Sequence, residues 1–200
     1  AVGLTIQPKF IILAAFFALN VAVSALVARR MGEENSQSAN EVLKMAIIIT
    51  VILHVILVIL GYLASDFLIR FVGSQADTHE DAVSYFRIII LGMIFTSLSM
   101  VINGAQRGVG NTRISMITNI TSNVVNVIFN YLLIGGNFGF PKLGIRGAAI
   151  ATVIGSVFGC ALSIISICRK DGFLYLGYTK KMIADKKTCA SILNVGSSAM

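Results

Sequence analysis

Charged residues are scarce in this sequence: they make up only 12% of its 200 residues, whereas hydrophobic residues make up 56%. A soluble domain typically carries about 25% charged and about 45–50% apolar residues. Such long apolar runs cannot be hidden beneath a surface that must remain polar. The low charge therefore excludes an ordinary soluble domain and favours a protein whose solvent is the hydrocarbon of a lipid bilayer.

Residue patterns typical of enzymes and metal sites are also missing. The sequence contains neither a G-x-G-x-x-G pattern nor a phosphate-binding loop. Cys160, Cys168 and Cys189 have no C-x-x-C spacing and no neighbouring histidine, so neither a metal site nor a disulfide framework is expected. His54 lies inside an apolar run, either as a proton relay or as a hydrogen-bonding partner of another helix. We therefore expect neither enzymatic activity nor a cofactor.

The net charge of +7 comes from 16 Lys and Arg residues against 9 Asp and Glu residues. In a soluble protein this excess would suggest a nucleic-acid partner. Here the basic residues lie mainly between apolar runs, where membrane topology accounts for them better. We expect no nucleic-acid partner.

Five apolar runs are each long enough for a helix that crosses a bilayer, which takes about 20 residues. The strands of a membrane barrel would instead alternate over about 10 residues. The sequence thus predicts an all-α, polytopic transmembrane helix bundle with five full spans, a basic linker at 169–190 and the start of a sixth span at 191–200. The five predicted spans are residues 10–28, 42–64, 83–105, 114–134 and 144–168.

The segments between the runs predict short connections. Ser36, Ser38 and Asn40 are possible caps of the second helix, residues 65–82 form an acidic loop, and residues 104–110 form a helix exit and a tight turn. The connections after the first, third and fifth runs, counted together with Lys44 at the start of the second run, hold 11 of the 16 basic residues. By the positive-inside rule these connections are cytoplasmic, in a multi-pass protein of the inner (plasma) membrane.

A stripe of asparagines runs along the fourth predicted span. Asn119, Asn123, Asn126 and Asn130 follow one another at spacings of four, three and four residues, so they project within an arc of about 60°. An amide that faced lipid would lose its hydrogen bonds at a cost of several kcal/mol. This face is therefore predicted to face other helices or water.

Other predicted spans carry matching polar residues, and Gly155 with Gly159 forms a G-x-x-x-G close-approach pattern. Two interpretations remain: interhelical hydrogen bonds worth about 0.6 kcal/mol each, or a shared polar cavity. Because the runs contain no Asp or Glu, such a cavity is expected to be neutral. The matching residues are Thr96, Ser99, Asn103 and Gln106 on the third span, Thr152, Ser156 and Ser163 on the fifth, and Asn20 and Ser24 on the first.

Four sequence stretches together resemble the multidrug and toxic compound extrusion (MATE) family. They are V-A-R-R-M-G-E-E-N (27–35), N-G-A-Q-R-G-V-G-N-T-R (103–113), N-V-I-F-N-Y-L-L-I-G-G (126–136) and P-K-L-G-I-R-G-A-A-I-A-T (141–152). The resemblance implies twelve spans in two six-helix lobes. Residues 1–168 would be helices two to six of the N-terminal lobe, followed by the inter-lobe linker and the start of the seventh helix.

The resemblance also implies a function: a secondary active exporter that exchanges drug-like organic, often cationic, compounds for Na⁺ or H⁺. Its partners would be the bilayer, these small molecules and the rest of the same transporter. Alternatives are a lipid-linked sugar flippase of the same superfamily and a membrane-embedded enzyme or scaffold.

Some members of that family form a cation or proton site from an asparagine, an aspartate four residues later and a threonine in the next helix. The matching residues here are Asn126, Asn130 and Thr152, so Asn130 replaces the aspartate. An asparagine offers a carbonyl oxygen but takes up no proton at working pH. The full set of candidate substrate- and cation-binding residues is Asn126, Asn130, Thr152, Asn123, Asn103 and Gln106.

Overall fold

The structure, a computed structural model, describes residues 3–169, 172–178 and 191–192. In these ranges the chain is helical, with no strand. Five of the helices are long and apolar enough to cross a membrane, namely all except α3 in the following list. The α-helices are α1 (Ile6–Gly32), α2 (Ser36–Leu63), α3 (Ser65–Phe71), α4 (Ala76–Gly108), α5 (Thr112–Gly135) and α6 (Gly144–Cys168). The all-α fold class with five full spans is confirmed.

Helix α4 is the central helix of the bundle. It contacts α1, α2, α5 and α6, whereas α5 packs mainly against α6. Two clusters of buried apolar side chains hold α1, α2 and α4 together, one built around Val27, Leu43 and Ile102 and the other around Phe16, Phe86 and Ile90. The polar faces of the helices therefore meet on the other side of α4, between α1, α5 and α6.

The structure differs from the predicted connections at residues 65–82. This segment contains the short helix α3 and the first turns of α4, which begins at Ala76. Likewise α2 begins at Ser36, and its N-cap is Asn35, whose side chain accepts a hydrogen bond of 2.9 Å from the Ser38 amide. Hydropathy finds only the part of a helix that suits lipid, whereas polar helix ends continue beyond it.

Glycines allow two helix pairs to approach closely. A Cβ atom added to Gly155 of α6 would lie 2.6 Å from the carbonyl oxygen of Ser122 on α5. A Cβ atom on Gly108 of α4 would lie 2.6 Å from the carbonyl oxygen of Ser24 on α1. The first contact fits the G-x-x-x-G pattern, whereas the second falls in a segment predicted only as a helix exit and turn.

Residues beyond α6 fold back onto α2. The Asn40 side chain accepts a 2.7 Å hydrogen bond from the Tyr175 amide and donates one of 3.2 Å to the Phe173 carbonyl. Leu174 and Ile192 are buried in the cluster that contains Leu43. Asn40 thus holds the segment after α6 and does not cap α2. Most of the predicted linker and seventh helix lies outside the described residues, and those boundaries stay a prediction.

A polar groove as the candidate binding site

Two adjoining pockets, with volumes of 350 and 240 Å³, lie between α1, α4, α5 and α6. They share Leu13, Thr96, Ser122 and Ser156, and we call them together the polar groove. Its other polar lining residues are Asn20, Ser99, Asn103, Arg107, Thr118 and Asn119 in the first pocket, and Lys9, Asn123, Asn126 and Thr152 in the second.

The asparagine face of α5 borders this groove. Asn119 lines the first pocket, Asn123 and Asn126 line the second, and Asn130 donates a hydrogen bond to Asn126. Asn119 and Asn123 are exposed to the groove space, whereas Asn126 and Asn130 are half-buried. The periodicity therefore identified a real polar surface.

In the first pocket, Asn103 connects three helices. Its side-chain nitrogen donates to the Thr118 hydroxyl on α5 at 2.9 Å and to the Ser99 hydroxyl at 3.3 Å. Its side-chain oxygen accepts from Ser163 of α6 at 3.3 Å, and the residue is only 3% exposed. Because these bonds use most of its capacity, Asn103 holds the wall of the groove in place.

Gln106 belongs to the same interhelical contact and not to the groove. Its side-chain nitrogen donates to the Ser166 hydroxyl of α6 at 3.0 Å, and the residue is buried. It lines neither pocket. His54 is also remote from the groove: it is buried beside Phe16, with 6.3 Å between the ring centroids, and its Nδ1 atom has no hydrogen-bond partner among the described residues.

Beside the second pocket, three predicted site residues form a hydrogen-bonded chain, of which Asn126 and Thr152 line the pocket and Asn130 does not. Asn130 donates to the Asn126 side-chain oxygen at 3.0 Å, and Asn126 donates to the Thr152 hydroxyl at 3.1 Å. The Thr152 hydroxyl in turn donates to the Ala148 carbonyl at 2.9 Å. The side-chain oxygen of Asn130 is buried and accepts no hydrogen bond from the described part of the chain. The chain therefore ends in an amide oxygen that remains able to accept a hydrogen bond or bind a cation.

Comparison with known proteins identifies the family. The model of the MatE family matches residues 1–132, which is more than half of the sequence. The chain belongs to the MatE family.

Relatives of this MATE chain are named for drug resistance. The "Probable multidrug resistance protein NorM" of Thermotoga maritima is 27% identical over 172 residues, which cover 86% of this chain and 37% of that protein. The "Probable multidrug resistance protein YoeA" of Bacillus subtilis is 28% identical and is covered over 42% of its length by 96% of this chain. The chain thus spans less than half the length of these relatives.

Solved structures of MATE transporters have the same fold. An inward-facing multidrug resistance MATE family transporter of the MOP superfamily matches 98% of this chain with a TM-score of 0.89 and 25% identity, over 44% of its own length. A MOP superfamily transporter from Pyrococcus furiosus matches with a TM-score of 0.87 and 25% identity, over 42% of its length. That transporter is described as having a binding pocket of reverse polarity that suggests a different function.

Two cationic residues of the MATE chain line the groove, which corrects the expectation of a neutral cavity. Lys9 lines the second pocket and Arg107 the first, and neither pocket is lined by a carboxylate from the described part of the chain. Nothing in the sequence indicated this, because Lys9 and Arg107 lie just outside the predicted spans 10–28 and 83–105. Basic residues at the ends of apolar runs indicate membrane topology and not a binding site. The groove therefore has a positive charge in each of its two pockets.

Proposed function

We propose that the protein containing this chain is a secondary active exporter that exchanges organic, often cationic, compounds for Na⁺ or H⁺. The observation that carries the proposal is the polar groove, where four membrane-spanning helices bring amide and hydroxyl groups together. The proposal is also supported by the names of the two relatives described above, each of which is called a probable multidrug resistance protein. Transporters of this architecture place their sites near the bilayer midplane and rock two halves around them.

Exposed amides suit a site that accepts many compounds. Asn119 and Asn123 lie on the groove surface, and each amide can both donate and accept hydrogen bonds. The apolar parts of a substrate would contact Leu13 and Phe17 of α1, which line the first pocket. Such a surface can bind substrates of different shapes.

The hydrogen-bonded chain from Asn130 to Thr152 is the proposed coupling site of this lobe. The unused oxygen of Asn130 is the type of ligand that hard cations accept, since they prefer oxygen donors. An amide cannot carry a proton at working pH, so proton coupling would need a carboxylate elsewhere in the transporter. This lobe therefore supports Na⁺ binding or substrate binding at Asn130 more directly than proton transfer.

The orientation that we propose places the ends of α1 and α4 and the start of α5 in the cytoplasm of a cell whose plasma membrane holds the protein. Arg29 and Arg30 lie in the last turn of α1, Arg107 in the last turn of α4 and Arg113 in the first turn of α5. Basic residues are retained on the cytoplasmic side during insertion.

The alternatives have weaker support. A lipid-linked sugar flippase would be favoured by a strongly cationic cavity, whereas two cations share this groove with a larger number of amides and hydroxyls. A membrane enzyme needs an acid, base or metal set, and the described residues contain no cluster of three or more His, Cys, Asp or Glu that could hold a metal.

Asn126→Leu in the full-length protein tests the proposal. Leucine suits lipid better than asparagine, so insertion should survive, and the loss of an interhelical bond alone would cost about 0.6 kcal/mol. If the Asn126 amide contacts the substrate or the ion, its loss should instead reduce dye efflux without reducing the amount of folded protein. The control is Thr121→Leu, a polar α5 residue that lines neither pocket. Efflux is measured in energised cells and normalised to the amount of folded protein. If both variants export the dye as fast as the wild type, the proposed site is wrong.

A further inference from the structure

The Arg107 side chain extends into the groove and not away from the bundle. Its Nη2 atom donates to the side-chain oxygen of Asn20 on α1 at 2.8 Å, and its Nη1 atom lies 3.5 Å from the Ser115 hydroxyl on α5. The first pocket is lined by both Arg107 and Asn20. The guanidinium is therefore held across the groove wall between three helices.

This charge has no counter-ion among the described residues. Arg29 and Arg30, near the end of α1, both pair with Glu33, at 3.1 and 2.7 Å. Arg107 instead bonds only neutral oxygens, and a guanidinium has five N–H donors. A cation without a counter-ion in a cleft lined by protein attracts an anion more strongly than one in open water, because the effective dielectric constant near a protein surface is lower than that of water.

Further donors lie next to Arg107. Asn119 is one helical turn beyond Ser115, which places the two residues on the same face of α5. Asn119 is exposed and lines the same pocket. An oxyanion at this point would meet the planar guanidinium, which suits carboxylates, together with a neutral amide donor.

We propose that Arg107 is a specificity-determining residue that binds the carboxylate of amphipathic organic anions and zwitterions in the first pocket. The proposal rests on the exporter function proposed above and names one class of its substrates. Arg107 and Arg113 are both exposed, but Arg107 lines the first pocket and hydrogen-bonds Asn20 there, which a purely topological arginine need not do. Arg113 lines neither pocket and is therefore the matched control.

The test compares two dyes that differ in one carboxyl group. Rhodamine B carries a free carboxylate at neutral pH, whereas its methyl ester is a simple cation. Binding of each dye to the purified full-length protein is measured by fluorescence polarisation, and efflux of each from energised cells is measured in parallel. Arg107→Gln should weaken rhodamine B binding about tenfold, the scale of one lost charged hydrogen bond. Binding of the ester should change little, and Arg113→Gln should alter neither dye.

A competition experiment on the wild-type protein needs no variant. Benzoate should displace rhodamine B, whereas benzamide, which has the same shape without the charge, should not. Arg107→Lys keeps the charge and should retain part of the rhodamine B affinity. Displacement by both compounds or by neither would overturn the anion site, even if Arg107→Gln failed to fold.

Other outcomes separate the two proposals. If Arg107→Gln weakens both dyes equally or neither, Arg107 does not recognise the carboxylate and this inference fails. The same holds if the wild-type protein binds neither dye. If the purified protein distinguishes the dyes as expected but cells expressing it retain both dyes as control cells do, the carboxylate site stands and the proposed export function fails.

Discussion

Gly155→Ala tests how closely α5 and α6 pack at the groove. The new Cβ atom would lie 2.6 Å from the Ser122 carbonyl oxygen and 3.0 Å from the Asn126 Cβ atom. Ordinary contact begins at 3.4 Å, and a helix carbonyl cannot rotate away as a flexible side chain can. The two helices must therefore separate locally, and overpacking of this kind destabilises by about 1–3 kcal/mol.

The expected destabilisation of Gly155→Ala is compared with that of two control substitutions. A Cβ atom on Gly32, the last residue of α1, would have no atom within 4 Å, and one on Gly159 would lie 3.2 Å from the Ser122 Cβ atom. Alanine otherwise favours a helix over glycine by about 0.5–1 kcal/mol. We therefore expect Gly32→Ala to be neutral or stabilising, Gly159→Ala to be mildly destabilising and Gly155→Ala to be the least stable.

The assay is thermal unfolding of the purified full-length protein in detergent, together with dye efflux from cells. Displacement of α5 at Asn126 should also disturb its 3.1 Å hydrogen bond to Thr152, so efflux through Gly155→Ala should fall even where the protein remains folded. A melting temperature for Gly155→Ala equal to that of Gly32→Ala would refute the close packing of α5 on α6.

Three other predictions concern orientation, ion coupling and the stability of α3; the orientation test uses Lys181, which lies outside the described residues. Asp77→Cys should react with an impermeant thiol reagent on intact cells and Lys181→Cys should not; the reverse pattern would invert the proposed orientation. Asn130→Asp adds a titratable group to the proposed coupling site, so efflux should acquire a new pH or Na⁺ dependence, and unchanged dependence would move coupling elsewhere in the transporter. The hydrogen bond between His79 and Asp66, at 2.8 Å, is the main cause that lowers the Asp66 pKa. A carboxylate whose pKa is lowered by a partner stabilises the fold above its ordinary pKa, and this stabilisation is lost as pH falls through the lowered pKa. The protection of the α3 amides from hydrogen exchange, relative to the intrinsic rate at each pH, should therefore fall below about pH 4. In His79→Leu this acid-induced change should shrink, because α3 is already loosened at neutral pH; identical exchange profiles in both proteins would contradict the contact.

The sequence predicted the parts of this fold that depend on the bilayer. The apolar runs locate five spans because only long apolar helices satisfy the backbone within lipid. The α5 stripe from Asn119 to Asn130 was predictable for the same reason, since buried amides need partners. The partners themselves follow from tertiary packing: nothing in the pattern shows that Asn126 bonds Thr152, whereas the family resemblance placed both in one site.

Other features depend on three-dimensional proximity and left little signal in the sequence. Lys9 and Arg107 lie outside the apolar runs yet line the groove, because α1 and α4 extend beyond their hydrophobic parts. Gln106 shares the spacing of Asn103 but faces Ser166 of α6 and not the groove. Helix α3 is too short for a hydropathy window, although a charge pair from Asp66 to Arg70, at a spacing of four residues, could have indicated it.

Access of water to α5 tests the central claim, that the polar groove is part of the transport path. In a full-length background without native cysteines, Asn123→Cys lies on the groove, whereas Ile128→Cys lies on the opposite face of α5 and replaces a residue that is 51% exposed and lines neither pocket. Thiols react as thiolates, which form in water and not in lipid. A small hydrophilic thiol reagent should therefore modify Asn123→Cys and not Ile128→Cys, and a transported dye should slow the first reaction. Equal modification of both positions, or no protection by the dye, would contradict the account.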